Sequence, residues 1–85
     1  MKIDQDIMEL DLDPIAYKVC RDEGWPLHDV DTAVLEYRAF LQVVRDAEPG
    51  FFAAPTRAID IVWHHHILDT QKYFVDTEML FGRYL

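Results

Sequence analysis

Three of the four histidines in this 85-residue chain are adjacent, within the segment DIVWHHHILDT at residues 60–70. On an α-helix, Asp60 and His64 lie one turn apart and about 40° from each other around the axis. A carboxylate and an imidazole so arranged can bind a divalent metal such as zinc or iron. They can equally form a hydrogen bond that fixes the tautomer of the imidazole. The spacing allows both, and hydrogen-bonded structural histidines are the default interpretation.

The metal interpretation needs a third ligand. His66, His28 or a carboxylate from another helix can supply it, and the predicted ligand set is Asp60, His64 and His66. His64 and His66 are about 200° apart on a regular helix, so they reach one ion only if the helix unwinds near His65. His65 itself, about 140° from Asp60, is predicted to face solvent or to bind a partner.

Capping residues and apolar periodicity predict the helices that carry these side chains. A polar residue followed by proline marks a helix start, and glycine or proline marks a helix end. In the second helix the apolar residues recur at the spacing of one buried face. The predicted boundaries are a cap at Asp13 and a stop at Gly24 for the first helix, and a cap at Asp29 and a stop at Pro49 and Gly50 for the second.

The third predicted helix contains the histidines and covers about residues 57–68, with Thr56 as its cap. Its apolar residues surround the axis, which is typical of a helix buried at the centre of a bundle. The fourth helix is predicted to start at Asp69 or Thr70. Its inner face is formed by Tyr73, Thr77, Leu80, Phe81 and Tyr84.

The predicted fold class is all-α: a small bundle of about four helices with a buried central third helix. No alternating pattern or hairpin turn indicates a strand. Residues 13–85 are expected to form a single helical domain, and hydrophobic residues, 51% of the chain, can supply its core. Residues 1–12 are rich in aspartate and are predicted to be a solvated acidic arm.

Charge and cysteine content limit the possible partners and location. Sixteen acidic and eight basic residues give a net charge of −8, which repels phosphate and favours a basic protein partner over nucleic acid or an anionic membrane. Cys20 is the single cysteine, so no intramolecular disulfide can form. The sequence begins without the pattern of a secretory leader and has no apolar run of about 20 residues. We therefore expect a cytoplasmic protein.

Exposed aromatic and aliphatic residues give further candidates for binding. Phe51 and Phe52 are predicted to cover the core after the second helix and, together with His65, to contact a protein partner. A homodimer is also expected to be feasible through an exposed apolar edge, formed by Leu35, Val43 and Phe74.

The run PTRAIDIVWHHHILDTQKY, residues 55–73, resembles the Pro-Ser-x-x-x-Asp-x-x-Trp-His-x-His core of the glycine-rich domain-containing protein-like family, which is known from plant proteins and from short bacterial ones. Residues 36–41 (EYRAFL) and 80–82 (LFG) also resemble its flanking segments, so the likeness covers about residues 29–85. The resemblance implies no catalytic residues, and it leads us to expect further histidines beyond Leu85. The three glycines of this chain form no glycine-rich region.

These observations favour a protein-interaction module over an enzyme, with no cofactor expected. The first alternative is a metal-binding protein or small metalloenzyme, in which Asp60, His64 and His66 hold the ion and Trp63 shields it. A further alternative is a substrate or carrier for a modifying enzyme that recognises the acidic helical part.

Overall fold

A computed structural model describes residues 2–51 and 53–82, which form five α-helices and no strand. The predicted all-α fold class is therefore confirmed. A short first helix, missing from the prediction, precedes the four expected ones. The helices are α1 (Gln5–Glu9), α2 (Asp13–Glu23), α3 (Leu27–Asp46), α4 (Arg57–Leu68) and α5 (Thr70–Phe81).

Local signals set most of the helix ends. Gly24 ends α2 with a left-handed φ of 70°, which glycine adopts without steric cost. The Thr56 side chain accepts a hydrogen bond from the Ile59 amide at 3.2 Å and caps α4 as predicted. The α3 helix instead begins at Leu27 after Pro26, so Asp29 lies in its first turn, where a carboxylate stabilises the positive helix end.

The α4 helix lies at the centre of the bundle and packs against α2, α3 and α5. Its buried apolar residues, Ile59 and Val62, join a core to which α3, α2 and the segment before α2 also contribute. One side of α4 nevertheless faces solvent, because Asp60, His64 and Leu68 are exposed. The central position of this helix agrees with the prediction. The prediction did not include an exposed side.

The N-terminal segment is part of the core, so the expectation of a solvated acidic arm is wrong. Ile7 is fully buried, and Leu10 and Leu12 are nearly so. The Arg38 guanidinium on α3 donates to the carbonyl oxygens of Ile7 and Leu10 at 2.7 and 3.0 Å. Arg45 forms ion pairs with two of the acidic residues, Asp4 and Asp6. Apolar burial and two arginines on α3 together fix this segment.

Replacing Arg38 with alanine is expected to lower the free energy of unfolding by about 2 kcal/mol, because two carbonyl oxygens lose a charged donor. Urea denaturation measures the change, and amide exchange in α1 should accelerate. Arg57→Ala is the control, since the Arg57 side chain is exposed and makes no hydrogen bond to any described residue. An equal loss in both variants would contradict the role given to Arg38.

Candidate functional site

His66 is the most completely bonded histidine of the triplet. It is 1% exposed, and its Nδ1 lies 2.7 Å from the Tyr37 hydroxyl on α3 while its Nε2 lies 2.9 Å from Asp76 Oδ2 on α5. A carboxylate only accepts hydrogen bonds, so Nε2 carries the proton and donates to Asp76. The other nitrogen then accepts from the Tyr37 hydroxyl, and both ring nitrogens are satisfied.

Further contacts extend this arrangement into a group of five residues, here called the His66 cluster: Tyr37, His66, Lys72, Tyr73 and Asp76. The Lys72 ammonium lies 3.0 Å from Asp76 Oδ2, and the Tyr73 ring stands perpendicular to the imidazole. Trp63 of α4 donates its indole N–H to the Tyr73 hydroxyl at 3.0 Å. The cluster therefore connects α3, α4 and α5 through hydrogen bonds.

Burial keeps the two central rings of the cluster neutral. It lowers the pKa of His66, and the hydrogen bond to Asp76 only partly opposes this effect. Burial also raises the pKa of the Tyr37 hydroxyl well above its usual range. Among the described residues no buried side-chain nitrogen or oxygen lacks a hydrogen-bond partner. A neutral, fully bonded imidazole with no access to solvent is suited to holding helices together.

His65 is 4% exposed, so the expectation that it faces solvent is wrong. Its Nε2 lies 3.1 Å from Glu23 Oε2, and its Nδ1 lies 4.0 Å from Asp22 Oδ2. Both carboxylates belong to the last turn of α2, which packs against α4. The apolar pattern of α4 surrounds the helix axis, so it could not indicate which side α2 covers. A partner contact through His65 stays a prediction and would require α2 to move.

Asp60 and His64 lie on the exposed side of α4, and no hydrogen bond joins their side chains. The predicted hydrogen-bonded pair is therefore not formed. Both residues line an open cavity of about 300 Å³ beside the end of α2. The other lining residues are Glu23, Ile61, Trp63 and Ile67.

The predicted metal-ligand set is not brought together in the structure. His66 points into the core, whereas Asp60 and His64 face solvent, because the helix stays regular through all three histidines. Within residues 2–51 and 53–82, no three histidine, cysteine, aspartate or glutamate side chains are close enough to hold one metal ion. His28 lines a different cavity, next to Trp25.

The sequence reasoning missed Tyr37 and Asp76 as polar partners of a histidine. Asp76 falls on the inner face of α5 together with Tyr73, Thr77 and Leu80, and all four are buried. A carboxylate on an otherwise apolar or neutral face is the signal that could have identified it, since a buried charge requires a partner. Tyr37 gave no such signal, because tyrosine is ordinary on an apolar helix face.

Phe51 is 62% exposed, so the expectation that it covers the core is wrong. It lies at the edge of an open groove of about 690 Å³ between the end of α3, the following loop and the C-terminal part of α5. The groove walls are largely apolar and include Phe40, Val44, Ala53, Trp63, Leu80 and Phe81. Phe52 and Tyr84 lie outside the described residues.

Leu35 and Phe74, two members of the apolar edge suggested for homodimerisation, are each 53% exposed, and Val43 is half-buried. A homodimer through this edge stays a prediction.

Among the described helices, none has the length and apolar character that crossing a membrane requires.

Comparison with known proteins finds no matching family model and no matching solved structure. The chain is similar to glycine-rich domain-containing protein 2 of Arabidopsis thaliana, with 32% identity over 75 residues. The match covers 85% of this chain and 10% of the plant protein, so the chain spans about a tenth of that relative's length. The resemblance indicated by residues 55–73 is therefore confirmed: this chain is similar to a segment of a glycine-rich domain-containing protein.

Proposed function

We propose that this chain is a protein-interaction module that binds a short basic segment of a partner in the groove beside Phe51. The observation that carries the proposal is the exposed phenyl ring of Phe51 at the edge of that apolar groove. Exposed aromatic residues next to an apolar hollow are common anchors in protein interfaces, because they bury a large area at a small cost in side-chain entropy.

The charges around the groove indicate the chemistry of the partner. A second hollow, which shares Phe51 with the groove, is lined by Asp46 and Glu48. Arg45 also lines the groove, but its guanidinium is bound to Asp4, Asp6 and the Leu80 carbonyl. With a net charge of −8 on the chain, these carboxylates favour a segment with a bulky apolar residue beside lysine or arginine.

A library of random peptides displayed on phage tests the proposal. Selection against the 85-residue chain is expected to enrich peptides that combine a bulky apolar residue with a basic neighbour. Phe51→Ala is expected to weaken the binding of the selected peptides at least about tenfold in isothermal titration calorimetry. The exposed position of Phe51 means that this substitution should leave the fold unchanged.

Tyr17→Ala is the matched control, because Tyr17 is an equally exposed aromatic residue on α2 that lines neither the groove nor the second hollow. This variant should bind the selected peptides as the wild type does. Selected peptides that bind the Phe51→Ala chain with undiminished affinity, or a selection that enriches no common sequence, would overturn the proposal.

A further inference from the structure

We propose that the cavity lined by Glu23, Asp60, Trp63 and His64 binds the cationic end of an arginine or lysine side chain. This basic side chain belongs to the same partner that binds beside Phe51, so the site rests on the proposed interaction function. It concerns a different surface from the Phe51 groove, on the exposed side of α4 facing the end of α2.

Two carboxylates supply the negative charge of this cavity. Asp60 is exposed, and its carboxylate makes no hydrogen bond or ion pair with any described residue. Glu23 uses Oε2 to bond His65, and its other oxygen makes no hydrogen bond within the described part of the chain. Among the described residues that line the cavity, none is lysine or arginine. A positively charged group is therefore the complementary ligand.

The remaining walls match the stem of a basic side chain. Ile61 and Ile67 provide aliphatic surface, and Trp63 provides an indole. Arginine and lysine bury their methylene groups against such surface while the charged end stays at the polar rim. An indole also attracts a cation placed over its ring. The cavity therefore combines apolar packing with charge, which a simple acidic patch does not.

The geometry favours an organic cation over a metal ion. A zinc ion needs three or four ligand atoms at about 2 Å, and no three candidate ligands of the described residues are arranged in this way. A guanidinium instead spreads five N–H donors over a wide planar group, so it can bond carboxylates that are farther apart.

Trp63 connects this cavity with the proposed peptide site, because it also lines the groove beside Phe51. One partner segment that crosses α4 at Trp63 can place its apolar residue in the groove and its basic residue in the cavity. The two contacts then contribute to one interface, and each can be removed by its own substitution.

The test is an NMR titration of the isotopically labelled 85-residue chain with N-acetyl-arginine amide and, separately, N-acetyl-lysine amide. We expect saturable shifts of the Ile61 and Ile67 amides and of the Trp63 indole N–H, with a Kd of about 1 mM for so small a ligand. N-acetyl-citrulline amide has nearly the same shape without the charge, and it should bind at least about tenfold more weakly.

Asp60→Asn should weaken binding of the more tightly bound amide at least about fivefold, because the site loses a charged hydrogen bond. The Asp60 carboxylate is exposed in the first turn of α4, so its loss should weaken the helix only slightly and leave the fold intact. Glu78→Gln on α5 is the matched control: it removes the same charge outside the cavity and should change the Kd less than about twofold.

Three results would overturn the proposal: equal binding of the arginine, lysine and citrulline amides, equal weakening in both variants, or shifts that appear with zinc chloride and not with the amides. The last of these would favour a metal site instead. Phe51→Ala should leave amide binding intact, so failure of the groove and failure of the cavity are distinguishable.

Discussion

Replacing His66 with alanine is expected to lower the free energy of unfolding by about 3–5 kcal/mol, the largest effect of any single histidine substitution. The change leaves a cavity between α3, α4 and α5 and removes a hydrogen-bond partner from two buried groups, the Tyr37 hydroxyl and the Asp76 carboxylate. A small domain has a total stability of about 5–15 kcal/mol, so this loss is a large fraction of it.

Urea denaturation followed by circular dichroism measures this change. Tyr37→Phe is a milder variant, expected to cost about 1–2 kcal/mol, and it keeps the prediction measurable if His66→Ala does not fold. His64→Ala is the control: this side chain is exposed and its ring makes no hydrogen bond to any described residue, so its removal should change stability by less than about 0.5 kcal/mol. A larger loss of stability in His64→Ala than in His66→Ala would contradict the structural role given to His66.

Stability is also expected to fall as the pH drops below about 6.5, the ordinary pKa of histidine. Burial lowers the pKa of His66 in the folded chain, whereas the unfolded chain titrates normally. Above this pH both states hold a neutral imidazole, so the group gives no pH dependence. Below it the unfolded state takes up a proton that the folded state resists, and the free energy of unfolding decreases by at most about 1.4 kcal/mol per pH unit.

The measurement compares urea midpoints between about pH 7.5 and about pH 5 for the wild type and His66→Gln. The variant should lack the part of the slope that His66 contributes, and His64→Gln should retain it. Identical slopes in the wild type and His66→Gln would show that another group causes the effect. The carboxyl of Asp6 titrates in a separate range, because the hydrogen bond from Arg45 holds its pKa below the usual value of 3.8.

The segment DIVWHHH, residues 60–66, has a structural part and an exposed part. Trp63 and His66 form hydrogen bonds that connect α4 to its neighbours. Asp60 and His64 instead line the cavity on the solvent side of the same helix. Substitutions in the first pair should therefore report on stability, and substitutions in the second pair on binding. This division makes the two roles separable by experiment.

The sequence by itself determined the all-α fold class, the bounds of α4 and the stop of α2 at Gly24. Each of these depends on contacts within one or two turns of the chain, such as the Thr56 cap on the Ile59 amide. Sequence patterns can predict these features, because the residues that interact are also neighbours in the sequence.

Only the tertiary structure decided which histidines are buried and whether the N-terminal segment packs against the core. His66 is hydrogen-bonded to Tyr37, which is 29 residues away in the sequence, and His65 to Glu23, which is 42 residues away. The segment before α2 is held by Arg38 and Arg45 of α3, again over a long separation. A helix that is apolar around its whole axis does not specify which neighbour covers which side. The packing of α2, α3 and α5 around α4 determines which side each neighbour covers, and therefore the different surroundings of the three histidines.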